Sequence, residues 1–433
     1  MLAGEQTVIE ECVWANSSLR SWLSNKFFSS RVESAFFRAA SYLTDPICKS
    51  HEFFRRLHVV EELNPAGSSG SILAKKILLF LGIIGAGLLA LVTTLPGIAL
   101  RWVASYLQKE PFIYVRGKGS EKTLPKGRTF SLLSWNICCV GGGFAISDGG
   151  VLPWAFRIDG IIDKIVEKDA DVNCIYETFD TRSAFTICER LQKNGYAHFY
   201  FNIGPKAIGV SSGILIASKY NIQNPEFSPF SQDALVGRTK FAEKGVFAFD
   251  LQSDGKSFAR IHATHLQHSE ECVYPTEEEK GAREKQLALI LKNAKGVKGK
   301  GIIVTGDLNL DDDEWNSSAW KTRFKKGNGY QDPDRTWGGD DFCARLVGKR
   351  ISPPLNLDHT MIMSGTAQAI HTTLVETNFN AERLRKEALS DHAGLFSEIA
   401  VYRPGSSMRI FFNILLRSAL RSIKQPFSLR RRD

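Results

Sequence analysis

Eight polar side chains able to do chemistry fall at the ends of short apolar runs in this 433-residue chain. Asn136 closes LLSWNI, Glu177 closes NCIYE and His265 closes IHATH. Asp307 and Asn309 lie in VTGDLN, Asp358 sits at the start of LDHTMI, and Asp391 and His392 lie in LSDHAGL. Taken singly, each has an ordinary explanation. A carboxylate after an apolar run caps a helix or turns the chain, a lone histidine hydrogen-bonds its neighbours, and Gly-Asp-Leu-Asn makes a turn. The set says more. Amides and carboxylates are the hard oxygen ligands that Mg²⁺ prefers, completed by water and phosphate oxygens. Imidazoles that titrate near neutrality add proton transfer.

These groups need strands to carry them. Apolar, β-rich runs predict strands over 130–137, 172–176, 213–217, 245–251, 259–265, 302–305, 358–363 and 395–401. Helical periodicity predicts helices over 156–167, 183–193, 277–294 and 314–325. Several strands follow one another without strict βαβ alternation. That mixture predicts an α/β (α+β) fold in which two mixed sheets pack face to face and helices cover them. Loops at strand ends are where function gathers, and the eight residues lie there.

Charge is unevenly placed. The formal net charge is +9, yet residues 126–402 are close to neutral and the excess sits in the two flanks. A nucleic-acid-binding body would carry the Lys and Arg itself, so the charge argues against nucleic acid as a partner, whereas basic flanks suit an anionic phospholipid surface. Residues 77–100 contain no charge and are long enough to cross a bilayer, with Lys75, Lys76 and Arg101 at the ends and Trp102 and Tyr106 as interfacial anchors. Pro96 and several glycines make a re-entrant hairpin an alternative to a straight span, and a buried core helix is the bland alternative. Residues 32–54 are amphipathic, and 408–423 with Arg430, Arg431 and Arg432 form a basic amphipathic tail. The expected organisation is an interfacial region over 1–70, a membrane segment over 71–107, a connector over 108–127, the catalytic body over 128–402 and the tail over 403–433. Eight cysteines without a CxxC pair read as reduced thiols in a cytosol-like compartment. The vicinal Cys138 and Cys139 continue an apolar strand and read as packing residues.

The ordered motifs SWN, YE, THLQ, GDLN, LDH and SDH resemble the endonuclease/exonuclease/phosphatase superfamily, which includes DNase-I-like nucleases, inositol phosphatases and neutral sphingomyelinases. Each motif is weak, but the ordered set is strong. SGILIASKY at 212–220, the Lys244–Gly245 strand start, THLQ and Arg283-x-x-Gln286-Leu287 are similar to neutral sphingomyelinases. So are Thr94-Leu95-Pro96 and EPFIYVR at 110–116, which precede the first catalytic strand as in the membrane-anchored animal enzymes.

The resemblance implies a four-layer DNase-I-like sandwich and a membrane-associated enzyme. It would be a Mg²⁺-dependent (or Mn²⁺-dependent) phosphodiesterase that converts sphingomyelin to ceramide and phosphocholine. A nuclease or inositol phosphatase of the same superfamily is the alternative. It also implies roles. Glu177 and Asn136 hold the metal, and Asp391 adds negative charge beside it. Asp307 and Asn309 position water and phosphate, His392 is the general base oriented by Asp358, and His265 hydrogen-bonds a phosphoryl oxygen. The animal enzymes carry an Asp-Ala-Leu-x-x-Lys-Gly element tied to regulation. Asp233-Ala-Leu and Lys244-Gly match its ends, but with Lys244 six residues late.

Overall fold

The core that each side chain enters alternates along the central strands and sets the layers. In the computed structural model, Phe130 and Leu132 of β2 (Thr129–Asn136) enter one apolar core while Leu133 and Trp135 enter another. The same period of two recurs in β3 (Val172–Tyr176), where Val172, Cys174 and Tyr176 share the core of Phe130 and Ile175 faces the other way. The structure describes residues 28, 30–58, 60–61, 64, 66–140, 154–205, 210–270, 275–326, 336–337, 355–375 and 389–402.

Two sheets meet across the first core. One has the order β1 (Ile113–Arg116), β4 (His198–Phe201), β5 (Leu215–Ser218), β3, β2, β13 (Gly394–Val401), β12 (Ala367–Val375). The other has the order β10 (Phe324–Lys326), β11 (Asp358–Met363), β9 (Gly301–Asp307), β8 (Lys256–His265), β7 (Gly245–Ser253), β6 (Asn221–Pro229). β2–β3 and β8–β9 are parallel and the remaining pairs antiparallel, so both sheets are mixed. Phe247, Phe249, Ile261 and Ile303 of the second sheet pack on Phe130, Leu132 and Tyr176 of the first. Helices α3 (Trp154–Lys168) and α4 (Thr181–Gln192) cover the outer face of the first sheet, and α5 (Glu277–Lys295) covers that of the second. This is the four-layer arrangement that the sequence predicts.

Ahead of the body, α1 (Arg31–His58) and α2 (Ser69–Leu107) form an antiparallel hairpin. Ser50 Oγ donates to Ile83 O at 3.2 Å and Arg101 Nη2 to Thr44 Oγ1 at 3.0 Å. A Cβ on Gly97 would lie 2.7 Å from Thr44 Cγ2, so the missing side chain lets the two backbones approach. α2 runs unbroken through Pro96, where a re-entrant turn was the alternative, and it is long and apolar enough to cross a membrane. Its outer face is open, with Leu91 and Leu95 more than 70% exposed at 78% and 75%. Ser68 caps α2, so the helix begins inside the Gly-Ser stretch 67–70.

Other differences have local causes. The helix expected over 314–325 stops as α6 (Asp312–Ser317), because Ser318 turns extended and caps the 3-10 turn Ala319–Thr322. Phe324–Lys326 then pairs with β11. β6 escaped prediction because it is an edge strand with a register shift and Pro229, where an apolar pattern is not required. The basic tail over 403–433 lies outside the described residues, as do Cys12, Cys272 and Cys343; the five described cysteines are free thiols.

A charged knot ties the hairpin to the body. Asp180 caps α4 and accepts from Arg182 N and from Trp154 Nε1 of α3, each at 3.0 Å. Arg182 Nη2 lies 2.7 Å from Asp180, and Arg182 Nη1 lies 2.8 Å from Asp45 of α1. Burial raises the Asp180 pKa, but the Arg182 guanidinium and these hydrogen bonds prevail and bring it down from 3.8 to about 2. A depressed carboxyl stabilises the fold above its unfolded pKa and loses that contribution as pH falls through the folded value. Asp180→Asn is therefore expected to cost about 2 kcal/mol at neutral pH. The gap between the two proteins in denaturant titrations should shrink below pH 4 and close towards pH 2.

Candidate active site

The topology gathers strand ends at one edge of the sandwich. Parallel β2 and β3 finish together at Asn136 and Tyr176, and parallel β8 and β9 finish together at His265 and Asp307. β11 and β13 run the opposite way, so the start of β11 at Asp358 and the loop before β13 at Asp391–His392 reach the same edge. Asp358 sits opposite Asp307 in the β9–β11 register.

The side chains meet across the two sheets. Asn136 Nδ2 donates to Glu177 Oε1 at 3.0 Å and to Asp307 Oδ2 at 2.9 Å. The Asn136 amide oxygen accepts from Cys138 N, so in this arrangement Asn136 orients two carboxylates by its nitrogen. His265 Nε2 lies 3.4 Å from Asp307 Oδ2 and 3.9 Å from Glu177 Oε1. His392 Nδ1 donates to Asp358 Oδ2 at 2.7 Å, and His392 Nε2 faces Asp307 Oδ2 at 3.6 Å. Asn309 N donates to Asp307 Oδ1 at 3.1 Å, and its side chain reaches Leu266 O at 3.4 Å. Asp391 stands at the rim and accepts from Ser390 Oγ.

The backbone is shaped for this task. Glu177, Asn309 and Cys138 have φ of 62°, 50° and 48°, a left-handed conformation that side-chain-bearing residues seldom adopt outside functional sites. Gly213 makes room for the first: a Cβ there would lie 3.1 Å from Glu177 Cα and 2.9 Å from the Phe179 ring. Trp135 Nε1 donates to His392 O at 2.9 Å and fixes the histidine loop. Buried Arg157 donates to Ile137 O, Cys138 O and Leu389 O, clamping the loop after β2 to that before β13. Neither Trp135 nor Arg157 stands out in the sequence, because an indole in a strand and an arginine in a helix are ordinary there.

Burial lifts the carboxyls. Asp307 rises to about 6, chiefly by burial, with Asp358 adding to it and His392 opposing. Glu177 is raised by burial and by Asp391, against the pull of Lys244. Burial alone would lower His392, but the carboxylates of Asp358, Asp307 and Asp391 prevail and hold it well above the ordinary histidine value. His265 goes the other way. Burial and then the Lys244 ammonium keep it well below that value, so it is neutral at physiological pH. Lys244 is itself lowered to about 8 by burial.

The donor set suits a cation. Ligand atoms of Glu177, His265 and Asp307 all lie within 4.8 Å of one another, as do those of Asp307, Asp358 and His392. Two carboxyls raised by burial would be relieved by positive charge, and hard oxygens suit a divalent ion. Two of the expected residues do not come together as a pair. Asp233 is exposed on a 3-10 turn and pairs with Lys285 at 2.9 Å, whereas Lys244 is buried with its Nζ 5.9 Å from the centroid of the Phe179 ring.

Residues 133–392 match the family model described as Endonuclease/Exonuclease/phosphatase family. No curated protein matches the chain by sequence. Among solved structures, a mutant of Staphylococcus aureus beta toxin with bound magnesium ions is 18% identical, with a TM-score of 0.50 over 62% of this chain and 98% of the toxin. Sphingomyelinase C from Streptomyces griseocarneus is 17% identical, with a TM-score of 0.49 over 62% of this chain and 99% of that one. A truncated Caenorhabditis elegans TDP2 is 17% identical, with a TM-score of 0.46 over 64% and 99%. At these identities the likeness is one of fold.

Proposed function

Because the chain belongs to the endonuclease/exonuclease/phosphatase family, whose members are metal-dependent hydrolases of phosphodiester bonds, we propose that it is a membrane-associated, Mg²⁺-dependent sphingomyelin phosphodiesterase. The observation that carries the lipid substrate is α2. Its apolar face is open over several turns, and the hairpin to which it belongs is tied to the catalytic body through Asp45, Arg182 and Asp180. A near-neutral body with no basic excess supports lipid over nucleic acid. Basic flanks add the expectation that anionic phospholipids strengthen binding.

Glu177 and Asp307 are the residues that would hold the divalent cation, with His265 completing the cluster. When bound, the ion neutralises phosphate charge and stabilises the leaving alkoxide of ceramide. The remaining work belongs to side chains. Asp358 keeps the Nδ1–H of His392 in place, which aims Nε2 at Asp307. His392 and Asp307 act as one coupled pair that takes the proton of the attacking water. Neutral His265 donates an N–H to a non-bridging oxygen as charge builds. Asn136 keeps the two carboxylates apart and aligned.

The substrate is tested by giving purified protein sphingomyelin vesicles and, separately, plasmid DNA, each with Mg²⁺ or with EDTA. Phosphocholine release that needs Mg²⁺, with the plasmid left intact, is the expected result. Plasmid nicking without phosphocholine release would replace this substrate with nucleic acid.

A further inference from the structure

Helix α5 buries a polar stripe where a covering helix would ordinarily bury leucine. Glu279, Arg283 and Gln286 follow one another at helical spacing, and all three are buried alongside Ala282, Leu287 and Ile290. Buried polar groups cost stability unless each finds a partner. These three reach one loop, the segment that leaves β8 directly after His265. Glu279 Oε1 accepts from Glu270 N at 2.8 Å, and Gln286 Oε1 accepts from Gln267 N at 2.9 Å. Arg283 Nη1 donates to Gln267 O and to Ser269 Oγ, both at 3.1 Å.

Arg283 also turns the other way. Its Nε and Nη2 donate to the two carboxylate oxygens of Glu314 at 3.0 and 2.6 Å. Glu314 lies in α6, whose N-cap Asp311 accepts from Glu314 N at 2.8 Å. One buried guanidinium therefore joins the exit of β8, which carries His265, to the exit of β9, which carries Asp307 and Asn309. The backbones meet at the same place, where Leu266 N donates to Asp307 O at 3.0 Å. This tie bears on how His265 is held. His392 has Asp358 on Nδ1, whereas Nδ1 of His265 is buried and makes no hydrogen bond among the described residues. No polar partner on Nδ1 aims the His265 ring, so its direction follows the backbone that carries it.

We propose that Arg283 is a positioning residue: its fork, braced on Glu314, holds the loop behind His265 and so fixes where Nε2 points, 3.4 Å from Asp307 Oδ2. Arg283 acts from behind the loop and exchanges no proton. Its effect runs through His265 and belongs to the transition state, where the imidazole N–H meets growing charge on a phosphoryl oxygen. The inference rests on the phosphodiesterase reading but not on the identity of the alcohol.

The test uses the full chain with Mg²⁺ and bis(p-nitrophenyl) phosphate as a soluble diester. Arg283→Lys keeps a cation opposite Glu314, but one ammonium cannot span Glu314 and the loop as a planar fork does. Its kcat should fall roughly 10- to 100-fold, with KM and the half-saturating Mg²⁺ concentration nearly unchanged. In a His265→Ala background the same change should cost almost nothing further, because the group through which it acts has gone. Arg283→Met combined with Glu314→Leu removes both buried charges, so it should keep the wild-type thermal midpoint and still be slow. Wild-type kcat in either Arg283 variant overturns the proposal. So does an equal further loss on top of His265→Ala, or a double variant that melts below the assay temperature, since each assigns Arg283 to the fold as a whole. If the wild-type chain leaves the diester intact, the phosphodiesterase reading falls by itself. Hydrogen exchange of residues 264–270 then decides: faster exchange in Arg283→Lys is expected, and unchanged protection overturns the role of Arg283.

Discussion

His392→Ala is expected to lower kcat on the preferred substrate by about 10⁴-fold, close to the loss when a catalytic base and its proton relay are removed together. The size follows from how completely the ring is held. Asp358 takes Nδ1 at 2.7 Å, Trp135 pins the histidine carbonyl at 2.9 Å, and Nε2 points at Asp307 from 3.6 Å. Asp358→Asn should fall nearly as far. An amide that presents its N–H to Nδ1 forces the ring proton onto Nε2, where a base must be bare. Both variants should keep vesicle binding, because the apolar face of α2 lies elsewhere. Steady-state rates with a binding control check this. Substantial turnover by His392→Ala would remove the ring from the mechanism.

Glu177→Gln is expected to abolish Mg²⁺-dependent turnover, by roughly 10³-fold or more, and added Mg²⁺ should not restore it. The change keeps volume and removes charge. Burial and Asp391 already disfavour the ionised form of Glu177, so the neutral isostere relieves a strained charge in the metal-free protein. The metal-free thermal midpoint should therefore hold or rise. In the wild-type chain, Mg²⁺ at about a hundred times its dissociation constant should stabilise by about 2.7 kcal/mol, and that increment should vanish in the variant. Thermal melts with and without Mg²⁺ separate loss of ligation from loss of folding. A Mg²⁺ shift that survives in Glu177→Gln would exclude this carboxylate as a ligand.

The parts of the fold that the sequence made legible are those where one physical demand dominates. β2, β3, β9 and β11 lie inside their sheets and must be apolar, so their limits came within a few residues. The polar residues that close them stood out by contrast, and the structure brings Asn136, Glu177, His265, Asp307, Asp358 and His392 to one edge. β6 and β12 are edge strands with mixed patterns and left little trace. Two features of the site depend on contacts far apart in sequence and could not be read locally. One is the left-handed backbone of Glu177, which needs the bare Gly213 beneath it. The other is Lys244, which family likeness pairs with Asp233 and the fold places instead against Phe179. Spacing along the chain does not encode which of two neighbours a buried ammonium will face.

That these scattered side chains form one cation site is tested most directly by titrating the purified chain with Mn²⁺ and following free ion by electron paramagnetic resonance. The expected result is a tight site that Mg²⁺ displaces, lost in Glu177→Gln and retained in His392→Ala. Mn²⁺ binding that is indifferent to Glu177→Gln, or absent from the wild-type chain, would contradict the account.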